Sequence, residues 1–399
     1  MESTQNGQAG ALAAARMSER FRCERVIDEV LTRKLRQRDS GPYRPTQPAE
    51  LKVRLAEFLT RELGVRPERL ELRRLPGGAS KEQFVADLAY TPRGGAIVTD
   101  RLVLRLDPGE SVVETSRLRE AQLMQALGSV VPVPSVLWID PDGKHLGRPG
   151  MITRFVAGVT KPTRRHSGGV TGIGIQFDAE WRERLKRPFV EYLARIHTFD
   201  WSSAGLDAFD APPAGSTLGV ERILNWHDRV WLEDCLEPEP LMELASGWLR
   251  DHMPPIERVT VVHGDYRSGN FMFDEDSGQI TAILDWEMGL LGDYHHDLSY
   301  TMQPNAGSYD EHGEFLVAGL VSRPEFLELY REYSELPVDP ARLEYYEILN
   351  ARHCTISSHG TAPRVAKGAK THQDVLCVYL SSIGPSFLDD LRMRLARKV

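Results

Sequence analysis

The sequence predicts an α+β protein of two lobes, a small sheet-rich N-terminal lobe followed by a larger, mainly helical C-terminal lobe. Its 399 residues exceed the usual size of a single domain core. Short strand-like segments dominate the first part, at 70–75, 83–90 and 101–106. Beyond Gly158, apolar residues recur instead at helical spacing in long stretches. Strands with one inserted helix, followed by helices, indicate an α+β architecture.

The chain before the first strand is predicted to be an extension of the two lobes. Residues 1–16 are small and polar, which predicts disorder. Apolar residues at helical spacing predict an amphipathic helix over Met17–Arg38 that packs on the body of the protein or on a partner subunit. A second helix is predicted from about Ala49 to Leu63, closed by Gly64. The expected division is an extension at 1–48, an N-terminal lobe at 49–158 and a C-terminal lobe at 159–399.

The remaining elements follow from the same periodicities. In the N-terminal lobe we expect a helix at 112–127 and strands in VPVPSVLWI and at 149–156. In the C-terminal lobe, amphipathic helices are predicted at 179–199, 218–234, 240–252, 324–334, 340–356 and 372–395.

Composition and charge exclude several classes of protein. A chain with 41% hydrophobic and 27% charged residues is typical of an ordinary globular protein. The formal charge of -8 argues against a nucleic-acid binder, which needs a basic face. No apolar run approaches the roughly 20 residues of a membrane span, and MESTQNGQ lacks the features of a secretory signal. The four widely spaced cysteines predict free thiols, so the cytoplasm is the expected location.

One segment carries the chemistry, VVHGDYRSGNFMFDEDSGQITAILDWEMGLLGDYHHDL. Two apolar runs, before His263 and before Asp285, are predicted to be short buried strands that each end in an acidic turn. Phosphoryl transfer needs one carboxylate beside the attacking hydroxyl, and an amide with a second carboxylate to hold Mg²⁺. Asp265 and Asn270 share a short loop, and the chain from Asp265 to Asp285 is long enough for a hairpin to return beside the first strand. Oxygen ligands from Asn270 and Asp285 suit Mg²⁺.

These motifs resemble the aminoglycoside phosphotransferase-like family, small-molecule kinases with a bilobal protein-kinase-like fold. The resemblance covers about residues 50–360. It implies ATP and Mg²⁺ as cofactors, with Asp265 as catalytic base and with Asn270 and Asp285 as Mg²⁺ ligands. It further implies that His263 orients the loop and that Asp297 is a buried anchor for it.

The nucleotide half of the site is expected in the N-terminal lobe. A loop containing Gly77, Gly78 and Ser80 lies between two strands, where backbone N–H groups can approach phosphate oxygens. Arg105 lies on the strand face opposite its neighbouring leucines, and Glu120 in the following helix is its predicted ion-pair partner.

Three positions depart from the family pattern. Arg105 replaces the lysine of the antibiotic-resistance members, and Lys81 replaces a common asparagine and is a further candidate phosphate cation. The hinge TRFVAG at 153–158 lacks the usual Met-Glu.

The sequence leaves the acceptor, the choice of ATP or GTP, and a monomer or homodimer open. A metal-dependent phosphatase would use the same carboxylates without the glycine loop, Arg105 or Glu120. A pseudokinase-like binding module is disfavoured by the three polar residues together, and a protein substrate by the lack of an APE-type segment.

The sequence offers arguments for two acceptor classes of a small-molecule kinase and leaves other classes unassigned. Cations at Lys161, Arg164, Arg165 and His166 favour an anionic alcohol, and likeness to the kinase domains fused to acyl-CoA dehydrogenases suggests a hydroxyacyl-CoA. The acid-rich stretch from Asp310 to Glu347 keeps an aminoglycoside open as the alternative.

Overall fold

A computed structural model describes residues 14–38, 41–75, 81–163, 174–371 and 374–398. The glycine loop with Gly77, Gly78 and Ser80 lies outside the described residues, as do Arg164, Arg165 and His166. Most of the segment predicted to be disordered, 1–13, also lies outside them. The described chain forms the predicted α+β fold of two lobes.

The N-terminal lobe is a five-stranded antiparallel sheet in the order β1-β2-β3-β5-β4. Its strands are β1 (Arg69–Arg74), β2 (Glu82–Tyr90), β3 (Val98–Leu106), β4 (Val136–Asp140) and β5 (Gly150–Arg154). Alternation along β3 buries Leu102, Leu104 and Leu106 on one face and turns Arg105 to the other, as the sequence predicted.

Two helices complete this lobe. Helix α2 (Pro48–Leu63) contributes Leu51, Leu55 and Phe58 to the core that covers the leucine face of β3. It ends at Gly64, whose φ of +69° is the left-handed conformation that glycine adopts most readily. Helix α3 (Arg117–Leu127) is shorter than the predicted 112–127, because the loop before it is held by tertiary contacts. In that loop, the hydroxyls of Ser111 and Thr115 accept hydrogen bonds from Lys81 at 2.9 and 3.1 Å.

The C-terminal lobe is mainly helical, with helix bounds within two residues of those predicted. Its longer helices are α4 (Ala179–Thr198), α5 (Leu218–Asp234), α6 (Pro240–Asp251), α8 (Arg323–Ser334), α9 (Pro340–Thr355) and α11 (Asp374–Leu395). The shorter helices are α7 (His295–Thr301) and α10 (Ala362–Lys367), and a π-helical turn, Ile356–Thr361, joins α9 to α10. None of the helices in the described parts of the chain is both long and apolar enough to cross a bilayer.

Short antiparallel strand pairs carry the polar segment of the C-terminal lobe. They are β6 (Thr260–Val262) with β9 (Leu290–Gly292), and β7 (Phe271–Phe273) with β8 (Ile280–Ile283). A third small sheet is formed by β10 (Ser308–Tyr309), β11 (Phe315–Val317) and β12 (Val321–Ser322). The pairing of β7 with β8 is the predicted hairpin, so it returns the chain beside the loop that follows β6.

The N-terminal extension packs on the C-terminal lobe. The predicted helix over Met17–Arg38 is interrupted: residues 14–20 are helical, and α1 begins again at Arg25 and ends at Gln37. Tertiary hydrogen bonds replace helical ones at the break. The carbonyl of Arg22 accepts from Asn225, and the N–H of Arg25 donates to Asp210.

A buried carboxylate on α5 ties the extension to the C-terminal part of the chain. Asp234 is fully buried and receives Lys34 Nζ and Arg38 Nη2, each at 2.7 Å. From the other side, Arg364 Nε lies at 2.7 Å and the Thr361 hydroxyl donates at 2.8 Å. One aspartate therefore joins α1, α5, the π-helical turn and α10.

Candidate active site

The loop from His263 to Asn270, which joins β6 to β7, is anchored by a buried carboxylate on α7. Asp297 is fully buried, and it accepts the backbone N–H of His263 at 2.6 Å and that of Gly264 at 2.7 Å. His197 on α4 makes a third hydrogen bond, from Nε2 at 3.0 Å. Burial would raise the pKa of Asp297, but the bonds from His197 and His263 outweigh it and hold that pKa below its usual range. Asp297 is therefore the predicted anchor of the loop.

His263 uses both ring nitrogens within the protein. Its Nδ1 accepts the backbone N–H of Asp265 at 3.2 Å, and its Nε2 donates to the carbonyl of Leu284 at 3.0 Å. Burial lowers the pKa of the His263 imidazole, which fits this neutral tautomer. Gly264 follows with φ +83°, and a Cβ there would come within 2.6 Å of the Met288 carbonyl oxygen. The turn thus requires a glycine beside the histidine.

Asp265 lies at the mouth of this loop with both carboxylate oxygens engaged. Arg267 Nε donates to Oδ1 at 2.7 Å, and Asn270 Nδ2 donates to Oδ2 at 2.6 Å. The hydroxyl of Tyr300 also bonds to Asp265; burial, followed by the charge of Asp265, raises the pKa of Tyr300 well above its usual range. The carboxylate keeps 13% exposure, so one edge remains open to an acceptor.

The hairpin places Asn270 and Asp285 side by side. Phe271 pairs with Ile283, and the N–H of Leu284 donates to the carbonyl of Asn270 at 2.7 Å. Asp285 follows with φ +65° and ψ +51°, a left-handed conformation that is uncommon outside glycine and recurs at functional sites.

The donor set of these two residues fits Mg²⁺. Asn270 donates through its amide nitrogen to the backbone and side-chain oxygens of Asp265, so its amide oxygen is the atom left for a cation. Desolvation, then the charge of Glu287, raises the pKa of the Asp285 carboxyl, so an added cation is favourable there. An amide oxygen beside a carboxylate is hard-oxygen ligation of the kind Mg²⁺ takes.

Arg105 and Glu120 form the predicted ion pair across the N-terminal lobe. Arg105 Nη1 lies 2.5 Å from Glu120 Oε1, and the guanidinium also reaches the other lobe, where Nη2 lies 2.9 Å from Asp285 Oδ1. Glu120 is fully buried, whereas the Arg105 side chain keeps 13% exposure. Arg105 therefore links helix α3 to the candidate metal ligand.

A buried network of charges surrounds this pair, and its composition is not visible in the sequence pattern. Glu287 receives Arg117 at 3.3 Å and Lys81 at 3.4 Å, and Arg105 lies at 4.0 Å. Asp107 receives Arg117 at 3.1 Å and Lys81 at 3.5 Å.

Lys81 is 1% exposed, and the protein itself occupies its ammonium group. Its role in the structure is therefore to hold the loop before α3, and the expectation of a further phosphate cation is wrong.

The network carries an excess of negative charge. Lys81, Arg105 and Arg117 supply three cations, against four carboxylates from Asp107, Glu120, Asp285 and Glu287. Among these described residues, four carboxylates stand against three cations, an excess of one negative charge beside the candidate metal ligands. A divalent cation would be attracted to such a site.

These residues lie within a recognisable family domain. The model of the phosphotransferase enzyme family, APH, matches residues 71–336, about two thirds of the chain. The protein belongs to this family. The predicted phosphotransferase is thereby confirmed, and the match spans both the N-terminal sheet and the loop from His263 to Asn270.

Solved structures show that this phosphotransferase has the kinase-like fold. A Ralstonia eutropha protein provisionally assigned as an aminoglycoside phosphotransferase is 20% identical, with a TM-score of 0.62 over 86% of this chain and 98% of that chain. A thermostable mutant of aminoglycoside phosphotransferase APH(4)-Ia, in a ternary complex with ADP and hygromycin B, is 15% identical, with a TM-score of 0.52 over 84% and 98%.

The curated relatives are much longer proteins. Acyl-CoA dehydrogenase family member 10 of Mus musculus is 29% identical over 50% of this chain and 18% of its own length. IBR3 of Arabidopsis thaliana, classed as a probable acyl-CoA dehydrogenase, is 25% identical over 70% and 34%. Family member 11 of Homo sapiens is 25% identical over 57% and 29%. The phosphotransferase matches 18–34% of the length of these three relatives.

Four site residues escaped sequence reasoning: His197, Arg267, Tyr300 and Glu287. Arg267 lies inside the HGDYRSGN motif and Glu287 inside DWE. Their position beside Asp265 and Asp285 in these motifs is the sequence feature that could have identified them as site residues. His197 and Tyr300 meet the loop only through the tertiary fold, with His197 lying 100 residues from Asp297 in the chain.

Proposed function

We propose that this phosphotransferase transfers the γ-phosphate of ATP, with Mg²⁺, to a hydroxyl group of a small anionic molecule. The observation that carries the proposal is the meeting of Asp265, Asn270 and Asp285 beneath Arg105. Arg105 contacts both Glu120 of the N-terminal lobe and Asp285 of the C-terminal lobe. A phosphatase would need the carboxylates but not this cross-lobe cation.

Each residue has a distinct task in the proposed reaction. Asp265 accepts the proton of the acceptor hydroxyl as its oxygen attacks the γ-phosphorus, and the bond to the β–γ bridging oxygen breaks to release ADP. Arg267 holds the Asp265 carboxylate in one orientation. Arg105 holds the α- and β-phosphates. Asn270 and Asp285 would hold Mg²⁺, which would supply positive charge to the phosphate groups of the nucleotide.

The glycine loop is proposed to cover the phosphates from the N-terminal side. In the sequence, Gly77, Gly78 and Ser80 lie between β1, which ends at Arg74, and β2, which begins at Glu82. Backbone N–H groups of such a loop can bind phosphate oxygens without side-chain interference.

The charges of the C-terminal lobe favour an anionic acceptor over a polyamine. Of the ten acids from Asp310 to Glu347 that kept an aminoglycoside open, five form ion pairs with described residues of the protein itself. Glu347 pairs with Arg323 and Arg394, each at 2.5 Å, and Glu325 pairs with Lys186 at 2.8 Å. Neutralised carboxylates attract a polycation weakly.

A hydroxyacyl-CoA is the acceptor that we propose to test first. Support comes from likeness to acyl-CoA dehydrogenase family members and from the predicted cations near Lys161. An aminoglycoside is the alternative, because the structural neighbours include enzymes of that kind.

The test measures ADP release with 3- and 4-hydroxyacyl-CoAs and, in parallel, with kanamycin-type amines. Asp265→Asn is expected to lower kcat by about 10²-fold or more while nucleotide binding persists. Asp274→Asn, a half-buried turn aspartate of the β7–β8 hairpin whose side chain bonds locally to Ser277, is the matched control and keeps the wild-type rate. Phosphorylation of the amines alone would contradict the proposal of an anionic acceptor. Full turnover by Asp265→Asn would show that Asp265 is not the catalytic base.

A further inference from the structure

A second cleft opens at the junction of the extension, the N-terminal lobe and the C-terminal part of the chain. Its volume is about 790 Å³, within the range of small-molecule sites. Its walls are α1, the segment 41–44, the loop between β3 and α3, the loop between β4 and β5, and Lys370. The described residues that line it are distinct from Asp265, Asn270, Asp285 and Arg105.

Hydrogen bonds hold the walls of this cleft together. The N–H of Tyr43 donates to the carbonyl of Ala369 at 2.8 Å, and the N–H of Glu110 donates to the carbonyl of Lys370 at 3.1 Å. Arg148 donates to the carbonyl of Arg44 at 3.0 Å and stacks 4.3 Å from the centre of the Tyr43 ring. The cleft is therefore a built cavity between three tied segments.

The deep cationic groups of the cleft are paired with carboxylates. Lys34 pairs with Glu114 and with Asp234. Lys81 lies at 3.5 Å from Asp107 and at 3.4 Å from Glu287. These side chains form the floor, where each ammonium group is already engaged by carboxylates of the protein.

The rim of the cleft differs from its floor. Arg33, Arg44 and Arg148 carry guanidinium groups that form no ion pair with any residue that the structure describes. Of the four acids that line the cleft, Asp107, Glu110 and Glu114 form ion pairs; Asp142 forms none with the described residues, and its side chain is exposed. The residues that line the cavity include six cations, Arg33, Lys34, Arg44, Lys81, Arg148 and Lys370, and four acids, Asp107, Glu110, Glu114 and Asp142, so the lining carries an excess of two positive charges in a protein whose formal charge is -8.

We propose that this cleft binds a small organic molecule carrying two or more phosphate or carboxylate groups. Guanidinium groups bind both anions in bidentate fashion, and three around one cavity suit a polyanion better than a single charge. The Tyr43 ring beneath Arg148 supplies an apolar surface for the rest of the molecule.

The cleft is connected to the phosphoryl-transfer centre by direct contacts. Lys81 in its floor contacts Glu287, and Glu287 lies 4.0 Å from Arg105. The anionic groups can belong to the acceptor itself or to a separate effector, and both sources share the same chemistry. The binding site itself does not depend on the proposed function. Deciding whether the ligand is the acceptor or a separate effector does depend on it.

The test is calorimetric titration of inorganic pyrophosphate into the full chain, with the nucleotide cleft saturated by Mg²⁺ and AMP-PNP. The double variant Arg33→Glu, Arg44→Glu is expected to weaken pyrophosphate binding by about tenfold or more, since it reverses two rim charges. Both side chains are exposed, so the fold should persist, which circular dichroism checks. Should the double variant be unstable, Arg44→Glu alone is expected to weaken binding in the same direction.

The matched control is Arg36→Glu, an exposed arginine of α1 that does not line the cleft. It is expected to bind pyrophosphate with wild-type affinity. No binding by the wild type, or equal binding by the wild type and the rim variants, would overturn the proposal.

Steady-state kinetics then distinguish the source of the anion. Competition between pyrophosphate and the acceptor assigns the cleft to the acceptor's anionic part, and non-competitive behaviour assigns it to an effector. Both results support the site. The calorimetric result does not depend on turnover, so failure to find a phosphorylated acceptor would count against the proposed function alone.

Discussion

The anchor of the loop from His263 to Asn270 can be tested by Asp297→Asn. The carboxylate accepts three hydrogen bonds, two at Oδ2, from His263 and His197, and one at Oδ1, from Gly264. An asparagine can keep the two bonds at one oxygen, but its NH₂ group then faces the N–H of Gly264. The charge-assisted bond from Gly264 is lost and its buried N–H is left without an acceptor, which together cost about 3–5 kcal/mol in the free energy of unfolding.

The same change should slow the reaction more than it weakens nucleotide binding. The loop carries Asp265, and a small displacement of a positioned base is worth about 10²-fold in kcat. Urea unfolding measures the stability change, and ADP release at saturating ATP measures kcat. We expect the Michaelis constant for ATP to change far less than kcat.

The control is Asp293→Asn, a buried aspartate four residues earlier in the same motif. Asp293 bonds to His295 at 2.6 Å and to Arg342 at 3.0 Å, away from the loop. It should lose similar stability while keeping most of its activity. Equal losses of kcat in both variants would show that the effect is general destabilisation, and the anchoring argument would then be wrong.

Changes at neighbouring groups separate metal binding, nucleotide binding and stability. Asp285→Ala is expected to abolish the Mg²⁺ dependence of ATP binding, because it removes a charged metal ligand; titration of ATP with and without Mg²⁺ checks this, and a retained wild-type dependence contradicts it. Glu120→Gln should raise the Michaelis constant for ATP by about tenfold, since it weakens the bond that orients Arg105; an unchanged constant would count against that role. His353 lies 2.9 Å from His227, and burial lowers its pKa from 6.5 to about 4. The unfolded chain therefore binds more protons, so stability is fully present above pH 6.5 and falls toward pH 4 by about 3 kcal/mol. Urea unfolding of His353→Gln should show a flatter acid limb, and an acid limb as steep as that of the wild type would refute the assignment.

Local patterns in the sequence were sufficient to predict most of the helices and strands. Alternation in RLVLRL predicted which face Arg105 takes, and helical periodicity predicted the C-terminal helices to within two residues. Both follow from side-chain geometry that repeats within a few positions. The helix over Met17–Arg38 was predicted as continuous because its periodicity is continuous, whereas Asn225 and Asp210 interrupt it through contacts from far along the chain.

The candidate site was predictable where its residues share a motif. Asp265, Asn270 and Asp285 were identified because a loop and a hairpin bring them together by spacing alone. The contact between Arg105 and Asp285 joins positions 180 residues apart, and no local pattern encodes it. Lys81 was misassigned for the same reason, since its carboxylate partners come from the loop before α3 and from DWE.

The carboxylate of Asp234 bears on how this protein can be divided and recombined. Its cationic partners, Lys34, Arg38 and Arg364, all lie outside the span shared with the family, whereas Asp234 lies inside it. A gene fragment trimmed to that span would carry a buried, uncompensated charge, a defect of about 3–5 kcal/mol. The region of common ancestry is therefore smaller than the unit that must be transplanted intact, and a swap between relatives has to carry both flanking segments with it.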